Sequence, residues 1–436
     1  MKFTTTEIAN ITNGRIPEGE ASRIASGANQ DSRSVEADQL FVPLLAERDG
    51  HEFIEPAMAN GAAAYLTHGP NPVAGGVIVD DTMDALGRLA AAGRGRIDGP
   101  VVGITGSVGK TSTKDLLAGA LGKAIKTHAS VRSFNNEIGV PLTIMNAPDD
   151  SQALIIEMGA RGIGHVADLC EIATPTVGIV TTVAAAHTGE FGSVENIAVA
   201  KGELVESLPS SGLAVLNADN PLVSGMADRT AATVLSFGAS PNASVRVSSI
   251  ELDDELRATF VIETDWGRVT AQPSTRGAHM ATNVAAAAGT ALWLGASIEQ
   301  VEAGLSEADV SPWRMEVART PNGALIINDA YNANPTSMAG ALDSLGRLPQ
   351  QRKLAVLGYM AELGENEATD HLDVAALART HGAEVIAVGT DLYGQPATTN
   401  VSTAIGPLNS DTAVLIKGSR SAGLEVVAAE LLEEHA

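Results

Sequence analysis

The sequence predicts an α/β protein of three domains, built around a doubly wound, mostly parallel sheet. Two observations support this fold class. Short apolar runs alternate with helical patterns from about residue 101 to about 311, which is typical of parallel strands joined by helices. A chain of 436 residues with 44% hydrophobic residues is also too long for a single core, so several domains are expected.

The composition excludes several functional classes. The chain has 52 acidic and 28 basic residues, a net charge of −24, and no basic run, so we expect no nucleic-acid partner. The start of the chain has no apolar signal segment and no run approaches about 18 apolar residues, so we expect a cytoplasmic protein without a membrane span. The single cysteine, Cys170, allows no intramolecular disulfide.

Residues 1 to about 98 are interpreted as a small α/β domain, followed by a linker over 93–100 that is rich in helix breakers. The turn Asp31-Ser32-Arg33 has, on its chemistry alone, an ordinary surface turn as its simplest interpretation. The other predicted elements are a helix start at Thr4–Glu7, a buried strand over 40–44, a turn at 49–51, a helix from Phe53 to near Gly61 and a strand over 63–67.

A glycine-rich loop joins a predicted strand, 101–105, to a predicted helix, 112–123. Backbone N–H groups of such a loop can surround phosphate oxygens, and the positive end of the helix faces the same phosphates. Lys110 can reach the β- and γ-phosphates, and the Thr111 hydroxyl suits Mg²⁺. Ile104 stands where the full Walker pattern has glycine, so a simple glycine turn is the alternative. The predicted nucleotide-binding loop comprises Thr105, Gly106, Ser107, Val108, Gly109, Lys110, Thr111 and Ser112.

Three further residues of the central unit attract attention because of their positions. Glu157 follows a buried strand, where a carboxylate can hold Mg²⁺ at the edge at which ligands bind; a capping or surface acid is the alternative. His187 lies at the carboxyl edge of the next strand, although a lone histidine is more often structural than a ligand. Lys201 falls on a predicted helix, and its simplest interpretation is a solvated surface lysine.

The rest of the chain predicts antiparallel hairpins over 230–275 and a Rossmann-like unit from about 312. That unit has no G-x-G-x-x-G fingerprint, so it offers no case for a dinucleotide. The remaining predicted elements are an alanine-rich helix over 279–294, strands over 324–329, 353–357, 384–388 and 412–416, a helix capped by Thr336 or Ser337, and a helix over 366–381.

Several motifs together resemble those of the Mur ligases, the ATP-dependent amide-forming enzymes of peptidoglycan synthesis. The loop 105–111 is similar to the short phosphate loop of that family. The turn 31–33, with 40–42 and 49–51, resembles its UDP-sugar-binding domain. The runs 135–141, 157–160, 331–338 and 357–364 are similar to the member that joins D-alanyl-D-alanine to UDP-N-acetylmuramoyl-tripeptide.

This resemblance implies a UDP-sugar substrate-binding domain over 1–98, a central ATP-binding P-loop domain over 99–311 and a C-terminal Rossmann-like ligase domain over 312–436. It implies a cytoplasmic, monomeric enzyme that uses ATP and two Mg²⁺ ions. ATP would phosphorylate the terminal carboxylate of UDP-N-acetylmuramoyl-tripeptide. The amine of D-alanyl-D-alanine would then attack the acyl phosphate, with release of ADP and phosphate.

The resemblance also implies roles for single residues. Thr111 and Glu157 would hold one Mg²⁺ and His187 the second, with Lys201 carbamylated and therefore anionic. Lys110, Lys201 and His187 are the catalytic candidates. Asn283 would face the adenine, while Arg314 and Asp329 would contact ATP from the C-terminal side. The predicted substrate contacts are Ser32, Arg33, Asn135, Asn136, Tyr331, Asn332 and Asn334.

Other functions stay open on the sequence alone. The alternatives are a P-loop switch or assembly ATPase without amide chemistry, a catalytically silent UDP-sugar-binding scaffold, and a Mur-type ligase with another acceptor. The sequence does not distinguish diaminopimelate from lysine as the third residue of the tripeptide. Tyr359 stands where the family usually has Asp, and His165 where related enzymes often have Glu.

Overall fold

The computed structural model describes residues 1–45, 47–69, 72, 74–185 and 188–434. Their strands form four sheets, which build an N-terminal, a central and a C-terminal α/β domain. Among the residues that the structure describes, no helix is long and apolar enough to cross a membrane.

The N-terminal domain contains a two-stranded antiparallel ribbon and a four-stranded parallel sheet in the order β3-β4-β5-β6. The predicted helix start is confirmed, since Thr4 and Glu7 form a reciprocal capping box. The predicted strand over 40–44 is shorter than expected. The elements are β1 Lys2–Thr4, α1 Thr5–Thr12, β2 Ile24–Ser26, β3 Ala28–Asn29, β4 Leu40–Phe41, α2 Ile54–Ala59, β5 Ala64–Thr67, β6 Gly76–Ile78 and α3 Thr82–Arg94, with a 3-10 turn over Gly50–Phe53.

The central domain is a nine-stranded sheet in the order β15-β14-β13-β12-β11-β10-β7-β9-β8. Pairs from β8 to β13 are parallel, and β13, β14 and β15 form antiparallel hairpins, as predicted for residues 230–275. Its strands are β7 Val101–Thr105, β8 Thr127–Ala129, β9 Ala153–Glu157, β10 Val177–Val180, β11 Leu213–Asn217, β12 Thr233–Gly238, β13 Val245–Leu252, β14 Ala258–Thr264 and β15 Gly267–Ala271. Its helices are α4 Lys110–Gly122, α5 Gly139–Met145, α6 His165–Ala173, α7 Thr188–Phe191, α8 Val194–Glu206, α9 Pro221–Ser224, α10 Ala281–Trp293 and α11 Ile298–Ser306.

The C-terminal domain is a five-stranded sheet in the order β16-β17-β20-β18-β19, parallel except for the edge strand β16. The predicted cap of its first helix is wrong. Asn334 caps this helix because its side chain accepts from the Ser337 N–H, and Pro335 occupies the first helical position. The elements are β16 Glu316–Arg319, β17 Leu325–Asn328, α12 Pro335–Arg347, β18 Arg352–Leu357, α13 Glu367–Thr380, β19 Ala383–Ala387, α14 Val401–Ile405, β20 Thr412–Lys417 and α15 Glu425–Glu434.

The N-terminal and central domains share one hydrophobic core. Phe3 and Leu86 of the first belong to the same buried cluster as Ile144 and Leu169 of the second. The predicted linker over 93–100 is therefore wrong in part. Arg94 ends α3, and its guanidinium donates to the carbonyls of Ala173 at 2.9 Å and Thr174 at 3.2 Å. These contacts bind the two domains firmly to each other.

Candidate active site

The glycine loop lies between β7 and α4, as the sequence predicts. Gly109 has φ 88°, and a Cβ there would lie 2.4 Å from the Asn283 side-chain oxygen. Gly106 has φ 146°, and a Cβ there would lie 2.0 Å from Thr181 Oγ1. Both positions thus require glycine, because the conformation and the close neighbours leave no room for a side chain. The loop is consequently held against the carboxyl edge of the sheet.

Lys110 is the first residue of α4, and its Nζ donates to the Gly106 carbonyl at 2.7 Å. Burial lowers the pKa of Lys110, and nearby Arg314 lowers it further, whereas the Glu157 carboxylate opposes the shift. The ammonium therefore curls back over its own loop. An incoming phosphate that accepts from this group would replace the carbonyl as its partner.

The Thr111 hydroxyl uses its full hydrogen-bonding capacity. It donates to Glu157 Oε2 at 2.9 Å, and it can accept from Ser133 Oγ and Arg314 Nη2, each at 3.1 Å. The other Glu157 oxygen accepts from the Asn135 amide at 2.8 Å. Glu157 is only 1% exposed, so the capping or surface acid considered from the sequence is wrong. The structure instead gathers a hydroxyl and a carboxylate beside the phosphate loop.

A cavity of about 210 Å³ opens between the phosphate loop and the C-terminal domain. Asn283 lies on its wall and accepts from the Thr113 hydroxyl at 3.3 Å. From the opposite side Asp329 pairs with Lys417 at 2.5 Å, and its other oxygen accepts from the Met315 N–H. Two domains thus supply polar groups to one pocket. Its further lining includes Val108, Gly109, Ser112, His279 and Arg314.

Arg314 connects the two domains at a second point. Besides its hydrogen bond to Thr111, its guanidinium lies 4.2 Å from the ring centroid of Tyr331. Trp313 stacks on the same ring at 6.5 Å, and Arg420 lies 4.6 Å from the Trp313 ring. A series of contacts therefore connects the C-terminal domain to the phosphate loop. We call this series the cation–aromatic ladder; its members are Arg420, Trp313, Tyr331 and Arg314.

The predicted substrate residues of the C-terminal domain lie in the loop after β17. The Asn332 carbonyl accepts from Lys417 at 2.8 Å, and the Asn334 side chain caps α12. Tyr331, Asn332 and Asn334 line a second cavity together with the phosphate loop, Asn135 and Glu157. The structure thereby brings these three residues close to Thr111 and Glu157, the predicted Mg²⁺ ligands of the central domain.

Lys201 is buried, so its interpretation as a solvated surface lysine is wrong. It lies on α8 with 3% exposure and lines a third cavity, of about 400 Å³, with Lys110, Asn135 and Asn136. The pKa of Lys201 is lowered to about 7, mainly by burial and also by repulsion from Lys110, while Glu203 opposes the shift. A large fraction of this amine is therefore neutral and nucleophilic near pH 7.

The remaining predicted residues lie elsewhere. Ser32 and Arg33 follow β3 in the N-terminal domain, and the described parts of the three cavities include neither of them. Arg33 is 88% exposed and makes a bidentate contact with Asp31, with Nη2 2.7 Å from Oδ2. His187 lies outside the described residues.

Sequence reasoning missed several residues of the site. Ser133 contacts the Thr111 hydroxyl, and His165 lines the Lys201 cavity. Glu203 accepts from the N–H groups of Gly164 at 2.6 Å and Ala167 at 3.0 Å, so it holds the start of α6 beside that cavity. Lys417 was missed because it meets Asp329 only through the parallel pairing of β20 with β17, which the sequence does not show.

Comparison with known proteins identifies the family to which this architecture belongs. A family model described as the Mur ligase middle domain matches residues 104–291, and one described as the Mur ligase, glutamate ligase domain matches residues 313–431. The first match lies in the central domain and the second in the C-terminal domain, and the chain belongs to the Mur ligase family. The family resemblance and the three-domain α/β fold are thereby confirmed.

Relatives from several bacteria carry the enzyme name UDP-N-acetylmuramoyl-tripeptide--D-alanyl-D-alanine ligase. The relative from Mycobacterium tuberculosis is 39% identical and covers 89% of this chain and 84% of its own. That from Escherichia coli is 33% identical and covers 99% of both. The crystal structure of MurF from Acinetobacter baumannii matches with a TM-score of 0.87, 28% identity and 99% coverage of both chains. The MurF ligase from Thermotoga maritima, solved with ADP, matches with a TM-score of 0.80 and 26% identity, covering 94% of this chain and 98% of its own.

Proposed function

We propose that this protein joins D-alanyl-D-alanine to UDP-N-acetylmuramoyl-tripeptide with hydrolysis of ATP to ADP and phosphate, in peptidoglycan synthesis. The observation that carries this is the match of ligases of that name over nearly the whole chain, together with a phosphate loop closed by Arg314 from the C-terminal domain. A P-loop switch or a silent scaffold accounts for neither the ligase relatives nor a buried amine in the cavity beside the loop.

The chemical problem of this reaction is charge. The triphosphate and the tripeptide carboxylate are both anionic, yet they must meet for the carboxylate to be phosphorylated. The loop N–H groups, the start of α4 and the Lys110 ammonium would stabilise the phosphates. Arg314 adds a second cation from the other domain, and its contact with Thr111 places it beside the same loop. These groups offset the repulsion only when the two domains are together, which also excludes water from the acyl phosphate.

The residues beside the loop fit a magnesium ion. Thr111 and Glu157 offer a hydroxyl and a buried carboxylate, and hard Mg²⁺ prefers oxygen ligands. When bound, Mg²⁺ supplies positive charge to the phosphate oxygens. The Thr111 oxygen gains a free lone pair when Arg314 or Ser133 releases it, so nucleotide binding and the movement of Arg314 are expected together.

Lys201 is proposed as a carbamate. The neutral amine adds to CO₂ and loses a proton, which gives an oxygen-bearing anion next to Lys110. Its burial and its pKa of about 7 support this, because a solvated lysine near pH 7 is protonated and cannot react. The carbamate would serve the second Mg²⁺, for which His187 is the other proposed ligand.

The domain roles stay as proposals. We assign UDP-substrate binding to residues 1–98, ATP binding to 99–311 and acceptor binding and closure to 312–436. Asn283 would face the adenine and Asp329 the nucleotide from the C-terminal side, since both line one cavity. Ser32 and Arg33 would hold the UDP part, while Asn135, Asn136, Tyr331, Asn332 and Asn334 would contact the peptide ends. The protein is also proposed to work as a cytoplasmic monomer.

The test measures ADP release over a panel of UDP-muramoyl peptides and acceptors. We expect phosphate and ADP only when the tripeptide and D-alanyl-D-alanine are both present, with a pentapeptide product by mass. Tripeptides ending in diaminopimelate or lysine identify the accepted third residue. Coupled ADP release with single amino acids and none with D-alanyl-D-alanine would assign the chain to another Mur-type reaction. ADP release without any amide product would favour the P-loop ATPase.

A further inference from the structure

A second group of ligand-type side chains lies in the N-terminal domain, at the carboxyl edge of its parallel sheet. Asp49 caps the 3-10 turn Gly50–Phe53, which follows β4, and His51 lies in that turn. His68 follows directly after β5. The strands β4 and β5 pair in parallel, so the segments that leave their carboxyl ends are neighbours. The topology therefore brings the three side chains together from two separate loops.

The three side chains form one compact cluster. One ligand-type atom from each of Asp49, His51 and His68 lies within 4.8 Å of the other two. The imidazole rings of His51 and His68 have centroids 4.0 Å apart, at an interplanar angle of 68°. Imidazole nitrogens and water are ligands of Zn²⁺ sites, and the Asp49 carboxylate is close enough to orient one of the two rings.

The hydrogen bonding of His51 prepares one of its nitrogens for a metal. Asp49 Oδ1 lies 2.7 Å from His51 Nδ1, and a carboxylate only accepts, so Nδ1 carries the proton. In the neutral ring this leaves a lone pair on Nε2. That atom is buried and finds no hydrogen-bond partner in the described part of the chain, although buried polar atoms are normally paired. A carboxylate that orients a histidine in this way is the usual support of a metal-binding imidazole.

We propose that His51 and His68 form a binding site for a divalent transition-metal ion of the Zn²⁺ type, with Asp49 orienting His51 through Nδ1 and water completing the coordination. The ion would bind the unpartnered His51 Nε2. Because His68 is exposed, the ion can reach the site from solvent. Imidazole ligands select Zn²⁺, Co²⁺ or Ni²⁺ over Mg²⁺. This site is separate from the oxygen-rich cluster of Thr111 and Glu157.

The test uses the full chain, stripped of metal and kept in excess Mg²⁺ so that the oxygen sites are occupied. Zn²⁺ binding is measured by calorimetry, and Co²⁺ by its visible d–d absorption, which reports nitrogen ligation. The variants are His68→Gln, which changes an exposed side chain, His51→Gln and Asp49→Asn. The matched control is His381→Gln, which changes a histidine of the C-terminal domain.

We expect one ion to bind the parent and the His381→Gln protein. His68→Gln and His51→Gln should lose that ion or bind it at least tenfold more weakly, and Asp49→Asn should bind it about 10–100-fold more weakly. Zn²⁺ should also raise the melting temperature of the parent but not of His68→Gln. Equal Zn²⁺ stoichiometry and affinity in the parent and His68→Gln overturn the site, as does Co²⁺ absorption that is the same in both.

Discussion

The Thr111 hydroxyl donates to the buried Glu157 carboxylate at 2.9 Å, although 46 positions separate them in the chain. The adjacent parallel strands β7 and β9, paired at Ile104 and Glu157, create this contact. The hydrogen-bond partners of this carboxylate, Thr111 and Asn135, are neutral, and a carboxylate held beside the phosphate loop is a suitable ligand for Mg²⁺. The pair is therefore the first place to test the proposed magnesium site.

Glu157→Gln should lower the ligase rate at least about 100-fold, because the amide is neutral and cannot replace an anionic metal ligand. The Mg²⁺ concentration for half-maximal rate should rise, while the melting temperature changes little. The measurement is the ligase rate against Mg²⁺ concentration. Glu206→Gln is the control, since that side chain lies half-exposed in a pair with Arg229. A rate for Glu157→Gln within tenfold of the parent contradicts the assignment.

Lys110→Ala should reduce turnover by at least about 1000-fold, because it removes a cation from developing phosphoryl charge. The fold should persist, since α4 keeps its packing. Steady-state ADP release and circular dichroism measure the two effects. Lys123→Ala, at the far end of the same helix, should remain fully active, because that ammonium pairs with Glu307 away from the loop. Retention of a tenth of the parent rate in Lys110→Ala would show that the phosphates lie elsewhere.

Lys201→Ala should lose most activity, and added acetate or formate should partly restore it by supplying carboxylate oxygens in the vacated space. Prolonged removal of CO₂ and bicarbonate should inactivate the parent, and reactivation at a fixed concentration of dissolved CO₂ should become faster as pH rises through about 7, since only the neutral amine reacts. Lys126→Ala, which changes an exposed lysine, is the control. Full activity of Lys201→Ala refutes the carbamate.

The same lysine predicts a dependence of stability on pH in CO₂-free protein. Its folded pKa lies near 7 and its unfolded pKa near 10.5, so between these values the unfolded chain holds a proton that the folded chain has lost. The free energy of unfolding should therefore rise with pH across this window. Lys201→Met should lack this contribution and be more stable than the parent by about 1–2 kcal/mol near pH 7. Urea unfolding at several pH values decides this, and parallel curves for the two proteins would contradict it.

Arg33→Ala should raise the KM for the UDP substrate about tenfold or more, with the KM for ATP nearly unchanged. The guanidinium is 88% exposed, so its loss costs little stability and leaves an anionic diphosphate without a partner. Initial rates with each substrate varied in turn provide the measurement. Arg88→Ala is a matched control, because it changes another arginine of the N-terminal domain that pairs with Asp84. An unchanged KM for the UDP substrate in Arg33→Ala would move its site elsewhere.

The sequence predicts the sheets and the phosphate loop well because those features depend on local pattern. The β-branched run before Gly106 and the helix after Lys110 are visible in any short window. The burial of Lys201 was not predictable in this way, since α8 packs against partners that are distant in the chain. The shared core of Phe3 and Ile144 depends on distant parts of the chain in the same way, so the breaker-rich segment 93–100 predicts a linker although the two domains pack together.

The capping of α12 was mispredicted for a different reason. Asn334, Thr336 and Ser337 can each cap a helix. The sequence does not show which of them is the last residue with an extended backbone before the helix begins, and that residue is the cap. The sequence predicts that polar residues follow the ends of the strands, but it does not predict which of these residues contact each other. Lys417 meets Asp329 only because β20 lies between β17 and β18 in the sheet.

The ladder that includes Trp313 gives the protein an internal optical reporter. Indole emission responds to stacked rings and nearby cations, and Trp313 has Tyr331 on one side and Arg420 on the other. Tyr331 in turn touches Arg314, whose hydrogen bond to Thr111 spans 203 positions of the chain. With Trp266 and Trp293 replaced by phenylalanine, the fluorescence of a single indole would follow the arrival of a nucleotide at the phosphate loop, without any attached dye.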